Sequence, residues 1–303
     1  MKVFITGGTG FIGKTITARL VRDGHTITLL TRSLRKEWIL PEGASFLQGD
    51  PTRTGRWQSK ITDHDAIINL AGASIFTRWT RKAKKKILES RILSTRHIVE
   101  AIDRKRDKKI HLINASAVGY YGACGDEKLD EGSPPGEDFL AHVVSLWESE
   151  ARNAQRWGTR AVLCRFGIVL GKKGGALANI VPYFKRYIGA PFGKGTQWFS
   201  WIHEKDLAEI ILFLLMHTEI DGPVNCTAPH PVRNKEMTKI LGEVLHRPTF
   251  LPGIPSFALR AALGQSADIL VKGQRVLPIK LRAFGFGHRF PTLKEALENL
   301  LVF

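Results

Sequence analysis

The sequence predicts an α/β fold in which a Rossmann-type, doubly wound parallel sheet carries a small, mainly helical C-terminal substrate lobe. The first observation is a β-branched strand over residues 2–6 that leads through a glycine-rich turn into a helix over residues 14–23. The second is the alternation of strands and helices through the first half of the 303-residue chain, which favours a parallel sheet. The third is a change after residue 247, where prolines separate short helices.

The glycine-rich turn has the spacing G-x-x-G-x-x-G, with Gly7, Gly10 and Gly13 between the strand and the helix. In a dinucleotide site the first glycine permits the turn, the second lets a pyrophosphate approach the backbone, and the third packs the helix on the strand. A second strand over residues 26–31 completes a βαβ unit. A purely architectural turn is the alternative, but the context of strand, turn and helix favours dinucleotide binding.

A second cofactor-binding segment is predicted at residues 65–72, an apolar strand that ends in small side chains. In a doubly wound sheet ligands lie beyond the carboxyl ends of the strands, so this end should face the cofactor. The residues predicted to bind the cofactor are Gly7, Thr9, Gly10, Phe11, Ile12, Arg32, Leu70, Ala71 and Gly72.

The end of the second strand predicts that the cofactor is NADP(H). NAD sites usually carry an acidic residue here, which binds the ribose 2′-hydroxyl. This chain has Arg32 instead, followed by Ser33, Arg35 and Lys36, with no carboxylate before Glu37. Guanidinium groups bind phosphate oxygens well, so a 2′-phosphate fits this position. A solvated basic loop is the alternative interpretation.

The composition predicts a soluble, cytoplasmic protein. The first strand begins at residue 2, so we expect no signal peptide, and no apolar run reaches the length of a membrane span. The three cysteines form no C-x-x-C pair, which predicts neither a disulfide framework nor a zinc site, and no other metal site is expected.

The net charge of +17 raises the question of an anionic partner. The densest basic clusters, residues 78–86 and 104–109, lie near or between predicted helices, and no nucleic-acid-binding motif accompanies them. Solvated helix faces, or attraction of an anionic cofactor and substrate, explain the charge better than nucleic acid. We expect an unknown small-molecule substrate, neither nucleic acid nor membrane as a partner, and leave a protein partner open.

The chain is predicted to divide into two domains. Residues 1–235 would form the NADP-binding Rossmann domain, with insertions around residues 172–204 that belong to the substrate lobe. Residues 236–303 would form the small C-terminal domain that closes over the strand ends.

The motifs together resemble the extended short-chain dehydrogenase/reductase superfamily, and within it the branch called "epimerase family protein". The resemblance covers essentially the whole chain, including the extra C-terminal domain of that branch. The residues that carry it are 6–13, Arg78 and Trp79, Ser90 and Arg91, 116–122, Trp147 and Glu148, 197–203, and 227–229.

The resemblance implies an NADP(H)-binding Rossmann fold and a catalytic serine or threonine, tyrosine and lysine. The tyrosine and lysine should lie as Tyr-x-x-x-Lys on the helix that begins near Phe139, after a predicted Asp138 cap. This helix contains neither residue, so the chain departs from the catalytic pattern of the superfamily.

Two catalytic candidates remain, Ser116 and Tyr120. Ser116 ends an apolar strand where the superfamily places its hydroxyl, although counting back from Tyr121 would select Ala117 instead. Ser116 alternatively caps the loop. Tyr120 or Tyr121 offers a phenol, although a packed aromatic is the common alternative. His142 is the imidazole on the helix that lacks the tyrosine, and a surface or core histidine is the more common case.

Three further side chains, Gln197, Trp198 and Trp201, are predicted to line a substrate pocket in which the indoles stack on a sugar or a flat ring. Core packing is the alternative, with His203 acting as a helix cap. Arg165, at the end of its strand, is predicted either to contact cofactor phosphate or to pair internally.

The sequence thus leaves two functions open. One is an NADP(H)-dependent oxidoreductase or nucleotide-sugar epimerase that acts on an unknown carbonyl substrate. The other is a catalytically degenerate NADP(H)-binding sensor or regulatory protein, similar to proteins labelled cell-division inhibitors, that acts through a protein partner.

Overall fold

A parallel sheet of seven strands forms the centre of the computed structural model, which describes residues 1–34, 40–103 and 110–302. Its strands run in the order β3-β2-β1-β4-β5-β7-β11, and every neighbouring pair is parallel. The described strands are β1 (Lys2–Thr6), β2 (Thr26–Thr31), β3 (Ala44–Gln48), β4 (Ala66–Asn69), β5 (His111–Ala117), β6 (Lys128–Leu129), β7 (Arg160–Phe166), β8 (Ile168–Gly171), β9 (Trp198–Phe199), β10 (Trp201–His203), β11 (Gly222–Cys226), β12 (Val232–Arg233) and β13 (Arg275–Val276).

The strand order confirms the doubly wound Rossmann-type sheet predicted from the sequence. The chain starts at β1, moves outwards through β2 to β3, and then returns to β4 on the other side of β1. This reversal opens a crevice between the carboxyl ends of β1 and β4, where folds of this class bind their ligands.

Helices cover both faces of the sheet, and each face has its own core. On one face α1 and α6 pack together, and on the other α2, α3 and α4 cover the strands. The described helices are α1 (Phe11–Arg22), α2 (Trp57–Ile61), α3 (Arg81–Asp103), α4 (Phe139–Arg152), α5 (Gly175–Lys185), α6 (Glu204–Met216), α7 (Asn234–Leu245), α8 (Ser256–Leu263), α9 (Asp268–Val271), α10 (Ile279–Ala283) and α11 (Leu293–Leu301).

Residues 160–171 form two strands, β7 and β8, on either side of a break. The break lies at Gly167, where an added Cβ would stand 2.9 Å from the backbone oxygen of Ser200. β7 stays in the main sheet, whereas β8 leaves it and pairs with β10. The Ser200 backbone thus lies against Gly167, and from this glycine the chain continues into β8 and its pairing with β10.

The C-terminal part of the chain is tied to the rest by β13, which pairs in parallel with β6. A third core forms where α7 packs on α11 around Met237, Leu241 and Leu297. Neither of these two helices was predicted from the sequence. The segment over residues 265–274 contributes to a cleft above the sheet, while the substrate role of the C-terminal lobe and the division of the chain at residue 235 stay predictions.

Two findings concern the described ranges 1–34, 40–103 and 110–302 only. No helix in them is long and apolar enough to cross a bilayer. Nor do three or more His, Cys, Asp or Glu side chains come together there in an arrangement that could hold a metal ion.

Candidate functional site

A cleft of about 950 Å³ lies beyond the carboxyl ends of the central strands. This volume is at the upper end of the range of about 300–1,000 Å³ for ligand sites. The glycine-rich turn lines one part of the cleft and Ser116 another. The C-terminal segment over residues 265–274 lines a third part, so the space continues from the predicted cofactor site to the predicted substrate lobe.

The glycine-rich turn is packed so closely that two of its glycines are required by the fold. Gly7 has φ +70°, and an added Cβ would stand 2.7 Å from the carbonyl carbon and oxygen of Leu70. A Cβ on Gly13 would stand 2.4 Å from the oxygen of Gly7. Gly10 is different, since its added Cβ would meet only that same oxygen, at 3.2 Å, and Gly10 is exposed. Its lack of a side chain leaves the backbone open to a ligand.

The start of α1 fits an anionic group. Gly10 is the N-cap and supplies no side-chain hydrogen bond, and the first turn of the helix contains no acidic residue. The free N–H groups and the positive end of the helix dipole are therefore available for a phosphate. Phe11 and Ile12 also line the cleft here, so the residues of this turn suit a dinucleotide pyrophosphate.

A buried polar network fixes the strand ends beneath the cleft. Asn69 of β4 accepts a hydrogen bond from Thr6 at 2.6 Å and donates to Asn114 of β5 at 2.7 Å and to Thr95 of α3 at 2.9 Å. The indole N–H of Trp147 donates to Thr95 at 2.9 Å. Because buried polar groups are costly unless they are paired, this network holds β1, β4, β5, α3 and α4 in one arrangement.

The structure brings most of the predicted cofactor residues to the cleft, but not all. Leu70 and Gly72 line it together with the glycine turn, whereas Thr9 and Ala71 belong to the same turns without lining it. Arg32 is exposed directly after β2, outside the lining of the cleft. Arg35 and Lys36, the other basic residues of the predicted 2′-phosphate site, lie outside the described residues.

Ser116 lines the cleft, and its hydroxyl donates a 2.7 Å hydrogen bond to Oε1 of Glu148. Arg165 donates two hydrogen bonds to the same carboxylate through one edge of its guanidinium, from Nε to Oε1 at 2.7 Å and from Nη2 to Oε2 at 2.9 Å. All three side chains are at most 3% exposed. Burial lowers the pKa of Arg165, but the hydrogen bonds and charge of Glu148 outweigh it, and the pKa is raised overall. Arg165 thus pairs internally, one of its two predicted roles.

The two tyrosines after β5 pack around the same guanidinium. The carbon Cζ of Arg165 lies 3.5 Å from the ring centroid of Tyr120. The hydroxyl of Tyr121 is fully buried, accepts from Arg165 at 2.9 Å and donates to Asn225 at 2.7 Å. Burial raises the pKa of Tyr121 to about 12. Neither tyrosine lines the cleft, so the catalytic role predicted for Tyr120 stays a prediction without support from its position.

Helix α4 presents an apolar face to the cleft where the superfamily carries its tyrosine and lysine. Asp138 caps the helix by accepting from the N–H of Ala141 at 2.9 Å, as predicted. His142 points to solvent. The lining side chains of this helix carry no group that titrates near neutral pH, and they are Phe139, Leu140, Val143, Val144 and Trp147.

Arg91 of α3 lines the cleft, whereas Arg165 does not. Its Nη1 donates to the carbonyls of Ala73 and Ile87, both at 3.0 Å, and no carboxylate of the described residues pairs with it. Its Cζ lies 5.1 Å from the ring centroid of Trp147. Burial lowers the pKa of Arg91 to about 10. It is still charged at neutral pH.

Trp198 is the one of the three predicted pocket residues that lines the cleft. Its indole N–H donates to Asp126 at 2.8 Å, and the guanidiniums of Arg233 and Arg275 lie 4.1 and 4.5 Å from its ring centroid. Because cations bind aromatic rings, these contacts fix the orientation of the indole.

The other two pocket candidates have structural contacts. Gln197 donates from Nε2 to the carbonyls of Phe192, at 3.1 Å, and Leu270, at 2.6 Å. Trp201 is fully buried, and its indole N–H donates to the carbonyl of His230 at 3.1 Å. These contacts agree with core packing, the alternative that the sequence left open for both.

The contacts of Glu148 and Arg91 were not predicted from the sequence. Both belong to pairs of residues that carried the family resemblance, and that was the only signal for them. Glu148 is 32 residues from Ser116 and 17 from Arg165, and Arg91 follows a helix segment dense in charged residues. The local sequence pattern does not distinguish such buried charged residues from charged residues that face solvent.

Comparison with known proteins assigns the fold and the family. The sequence model of the "NAD dependent epimerase/dehydratase family" matches residues 3–226, and that of a domain of unknown function, DUF1731, matches residues 254–300. The chain is 42% identical to the chloroplastic epimerase family protein SDR39U1 homolog of Arabidopsis thaliana, covering 99% of this chain and 87% of the relative. It is 41% identical to the epimerase family protein YfhF of Bacillus subtilis, covering 99% and 98%.

A solved structure agrees with these relatives. The human epimerase family protein SDR39U1, crystallised with NADPH, superimposes with a TM-score of 0.86 at 33% identity, covering 99% of both chains. The glycine turn, the strand order and the C-terminal segment described above therefore occur together in a known family. This chain belongs to the NAD dependent epimerase/dehydratase family.

Proposed function

We propose that the protein binds NADP(H) and transfers hydride between its nicotinamide and a carbonyl or alcohol carbon of a small molecule, as an oxidoreductase or an epimerase. The continuity of the cleft is the observation that carries this proposal. The same space is lined by the glycine turn, by Ser116 and by residues 265–274. A cofactor along the strand ends would thus share a cavity with a second molecule under the C-terminal segment.

Two observations support NADP(H) as the cofactor. Arg32 is exposed at the carboxyl end of β2, where a 2′-phosphate lies in folds of this kind. The human relative, with 33% identity over 99% of both chains, was crystallised with NADPH. Bound NADP(H) would supply the hydride acceptor or donor, and Gly10, Phe11 and Ile12 would hold its pyrophosphate.

Ser116 is the residue proposed to orient the reacting oxygen. Because its hydrogen is donated to Glu148, its oxygen remains free to accept a hydrogen bond from a substrate hydroxyl. Arg165 in turn holds Glu148 through hydrogen bonds, so the orientation of the Ser116 hydroxyl is fixed. The substrate that fits this arrangement best enters as an alcohol with its O–H directed at Ser116.

A second candidate function is NADP(H) sensing without catalysis. The apolar cleft face of α4 favours it, since Val143 and Trp147, four residues apart on that face, can neither give nor take a proton. Under this candidate the cleft binds NADP(H), and the protein acts through a partner that responds to the bound state.

Calorimetric titration of the purified protein with NADPH and NADH, followed by assay of nicotinamide absorbance with panels of carbonyl and alcohol substrates, tests both functions. We expect tight NADPH binding and turnover with at least one substrate, with kcat reduced at least tenfold in Ser116→Ala and NADPH affinity unchanged. Tight binding with no turnover over broad panels would support the sensor. No binding of either nucleotide would overturn both candidates.

The choice of cofactor is tested by Arg32→Asp. The substitution places a carboxylate where the 2′-phosphate is proposed to bind, so NADPH affinity should fall about 100-fold while NADH affinity holds or rises. Arg22→Asp, on the exposed end of α1, is the matched charge control. Equal losses for NADPH and NADH, or no loss, would show that Arg32 does not contact the 2′-phosphate.

A further inference from the structure

The part of the cleft under the C-terminal segment is walled by aromatic side chains. Trp79 and Phe139 line the cleft and meet edge to face, with their ring centroids 5.1 Å apart. The Nζ of Lys84 lies 4.7 Å from the ring centroid of Phe139 and donates to Gln265 of the C-terminal segment at 2.7 Å. The aromatic corner, formed by Trp79, Phe139, Lys84 and Gln265, thus joins α3, α4 and that segment around one space.

The indoles in the cleft wall offer ring surface and no free hydrogen-bond donor. Three tryptophans of the described residues line the cleft. Their indole N–H groups already donate to acceptors within the protein, at 2.8–3.0 Å, and the residues are Trp79, Trp147 and Trp198. For Trp79 the acceptor is the carbonyl of Ile75. Because an indole has no second donor, a bound molecule meets only the ring at these positions.

The polar side chains that line the same part of the cleft are also bonded to the protein. Lys272 pairs with Asp268 at 2.8 Å. The hydroxyl of Ser200 donates to the carbonyl of Gln274 at 2.7 Å, and the side-chain amide of Gln274 donates to the carbonyl of Val118 at 2.7 Å. A ligand rich in hydroxyl groups would have to compete with these bonds, so recognition here depends on shape and apolar contact.

Apolar surface beside the aromatic corner lies open to a ligand. Phe76 lines the cleft, and its side chain is 58% exposed. Ile75 and Ile269 line the cleft as well and are half-buried. An apolar ligand that covers these side chains removes their surface and its own from water, which favours binding.

We propose that the substrate is an apolar alcohol, or the matching carbonyl compound, whose reacting carbon bears a flat ring. The ring lies in the aromatic corner, where it packs on the indole of Trp79 and covers Phe76, while the hydroxyl donates to Ser116. The proposal rests on the proposed function, because it requires NADP(H) at the glycine turn and hydride transfer beside Ser116.

The same wall disfavours a nucleoside diphosphate sugar as the substrate. Three cations of the described residues line the cleft. Lys84 and Lys272 already donate to side chains of the C-terminal segment. Arg91 lies against Gly72 instead, directly after β4. A diphosphate under the C-terminal segment would therefore compete for lysines that are already bonded, and it would meet the carboxylate of Asp268.

The test uses four alcohols that share the reacting group CH(OH)–CH3 and differ in the group attached to it. They are butan-2-ol, 1-cyclohexylethanol, 1-phenylethanol and 1-(2-naphthyl)ethanol, and UDP-glucose is the polar comparison. Calorimetry measures binding to the NADPH-loaded protein, in which no reaction occurs because NADPH cannot accept a hydride. Nicotinamide absorbance measures turnover with NADP+. In that reaction the carbinol carbon gives its hydride to NADP+ and the hydroxyl releases its proton to water, which yields a methyl ketone and NADPH.

We expect affinity and kcat/KM to rise about 100-fold from butan-2-ol to the naphthyl alcohol, with the phenyl alcohol above the cyclohexyl one. UDP-glucose should bind more weakly than the naphthyl alcohol. Trp79→Ala should weaken binding of the naphthyl alcohol about tenfold and of butan-2-ol less than about twofold, and Trp79→Phe should keep most of the affinity. Trp157→Ala is the matched control and should equal wild type, because Trp157 is 51% exposed and lies outside the cleft lining.

The outcomes separate this proposal from the proposed function. Equal affinity for the four alcohols, or a loss in folded Trp79→Ala that is as large for butan-2-ol as for the naphthyl alcohol, would overturn the aromatic site. Turnover of UDP-glucose alone would support hydride transfer and overturn the aromatic site. Ring-dependent binding without any turnover would support the site and count against hydride transfer. Circular dichroism, thermal unfolding and unchanged NADPH affinity show that each variant is folded.

Discussion

Two guanidinium groups stand in the region of the cleft, and they are satisfied in opposite ways. Arg165, 1% exposed, holds the carboxylate of Glu148 with two hydrogen bonds and gives further ones to Tyr121 and to the carbonyl of Glu131. Arg91 has two carbonyl contacts through one nitrogen and no acidic partner among the described residues. The guanidinium of Arg165 therefore has a carboxylate partner within the protein, whereas the guanidinium of Arg91 has none among the described residues.

The difference separates a pair that stabilises the fold from a cation in the cleft to which the described residues give no acidic partner. The Arg165 pair joins β7 to α4 and fixes the hydroxyl of Ser116, so its energy belongs to the folded chain with or without a ligand. The charge of Arg91 is a cost in the apo protein that a bound anion can offset. Binding sites often carry such local costs, because a group that is ready for a ligand is one that the protein has not satisfied.

The largest expected effect comes from breaking the satisfied pair. Arg165→Met leaves the carboxylate of Glu148 buried and without its main partner, which should lower the free energy of unfolding by about 3–5 kcal/mol. Denaturant titration followed by circular dichroism measures this change.

Removing both charges provides the control for that variant. The double substitution Arg165→Met with Glu148→Leu leaves no buried charge behind, so it should recover much of the stability that the single variant loses. A double variant as unstable as the single one would show that packing of the arginine stem, and not the unpaired carboxylate, accounts for the loss.

A smaller effect is expected from Ser116→Ala, which removes one hydrogen bond to the same carboxylate. A hydrogen bond to a charged group contributes about 1.5–3 kcal/mol, and Glu148 keeps both of its bonds to Arg165, so we expect a loss near 2 kcal/mol. Thermal unfolding of Ser116→Ala and Ser116→Thr measures it. The threonine keeps the hydroxyl, so an equally unstable threonine variant would argue for a steric cause.

The sequence predicted the local features of this molecule well. The glycine turn, the strand Thr26–Thr31 and the Asp138 cap depend on neighbours within a few residues, and the structure confirms the strand bounds and the cap. The alternation of strands and helices predicted the doubly wound parallel sheet, which the strand order confirms. The predicted cofactor contacts depend in addition on a ligand and stay predictions, although the geometry brings most of those residues to one cleft.

Features that depend on tertiary contacts were not predictable in the same way. Gly167 follows β7 and packs so closely on the Ser200 backbone that an added Cβ would stand 2.9 Å from its oxygen, and nothing near Gly167 in the sequence indicates that neighbour. Trp201 is an aromatic residue of the type that lines substrate pockets, but it is buried in a core with the C-terminal helices. The sequence left Arg165 open between a cofactor phosphate and an internal pair, and only the folded chain shows that the carboxylate of Glu148 lies within its reach.

The smallest expected effect has the opposite sign and tests the comparison most directly. Arg91→Met removes a charge that burial disfavours, so the apo variant should be more stable than wild type by about 1 kcal/mol. The pKa of Arg91 is lowered to about 10 from an unfolded value of 12.5. The wild-type penalty is therefore fully present at every pH below about 10 and is relieved as the pH rises from there towards 12.5. With saturating NADPH the order should reverse, because wild type gains more binding free energy than the variant. Thermal unfolding with and without NADPH measures both orders, and a variant less stable than wild type in the apo state would mean that Arg91, like Arg165, is already satisfied by the chain.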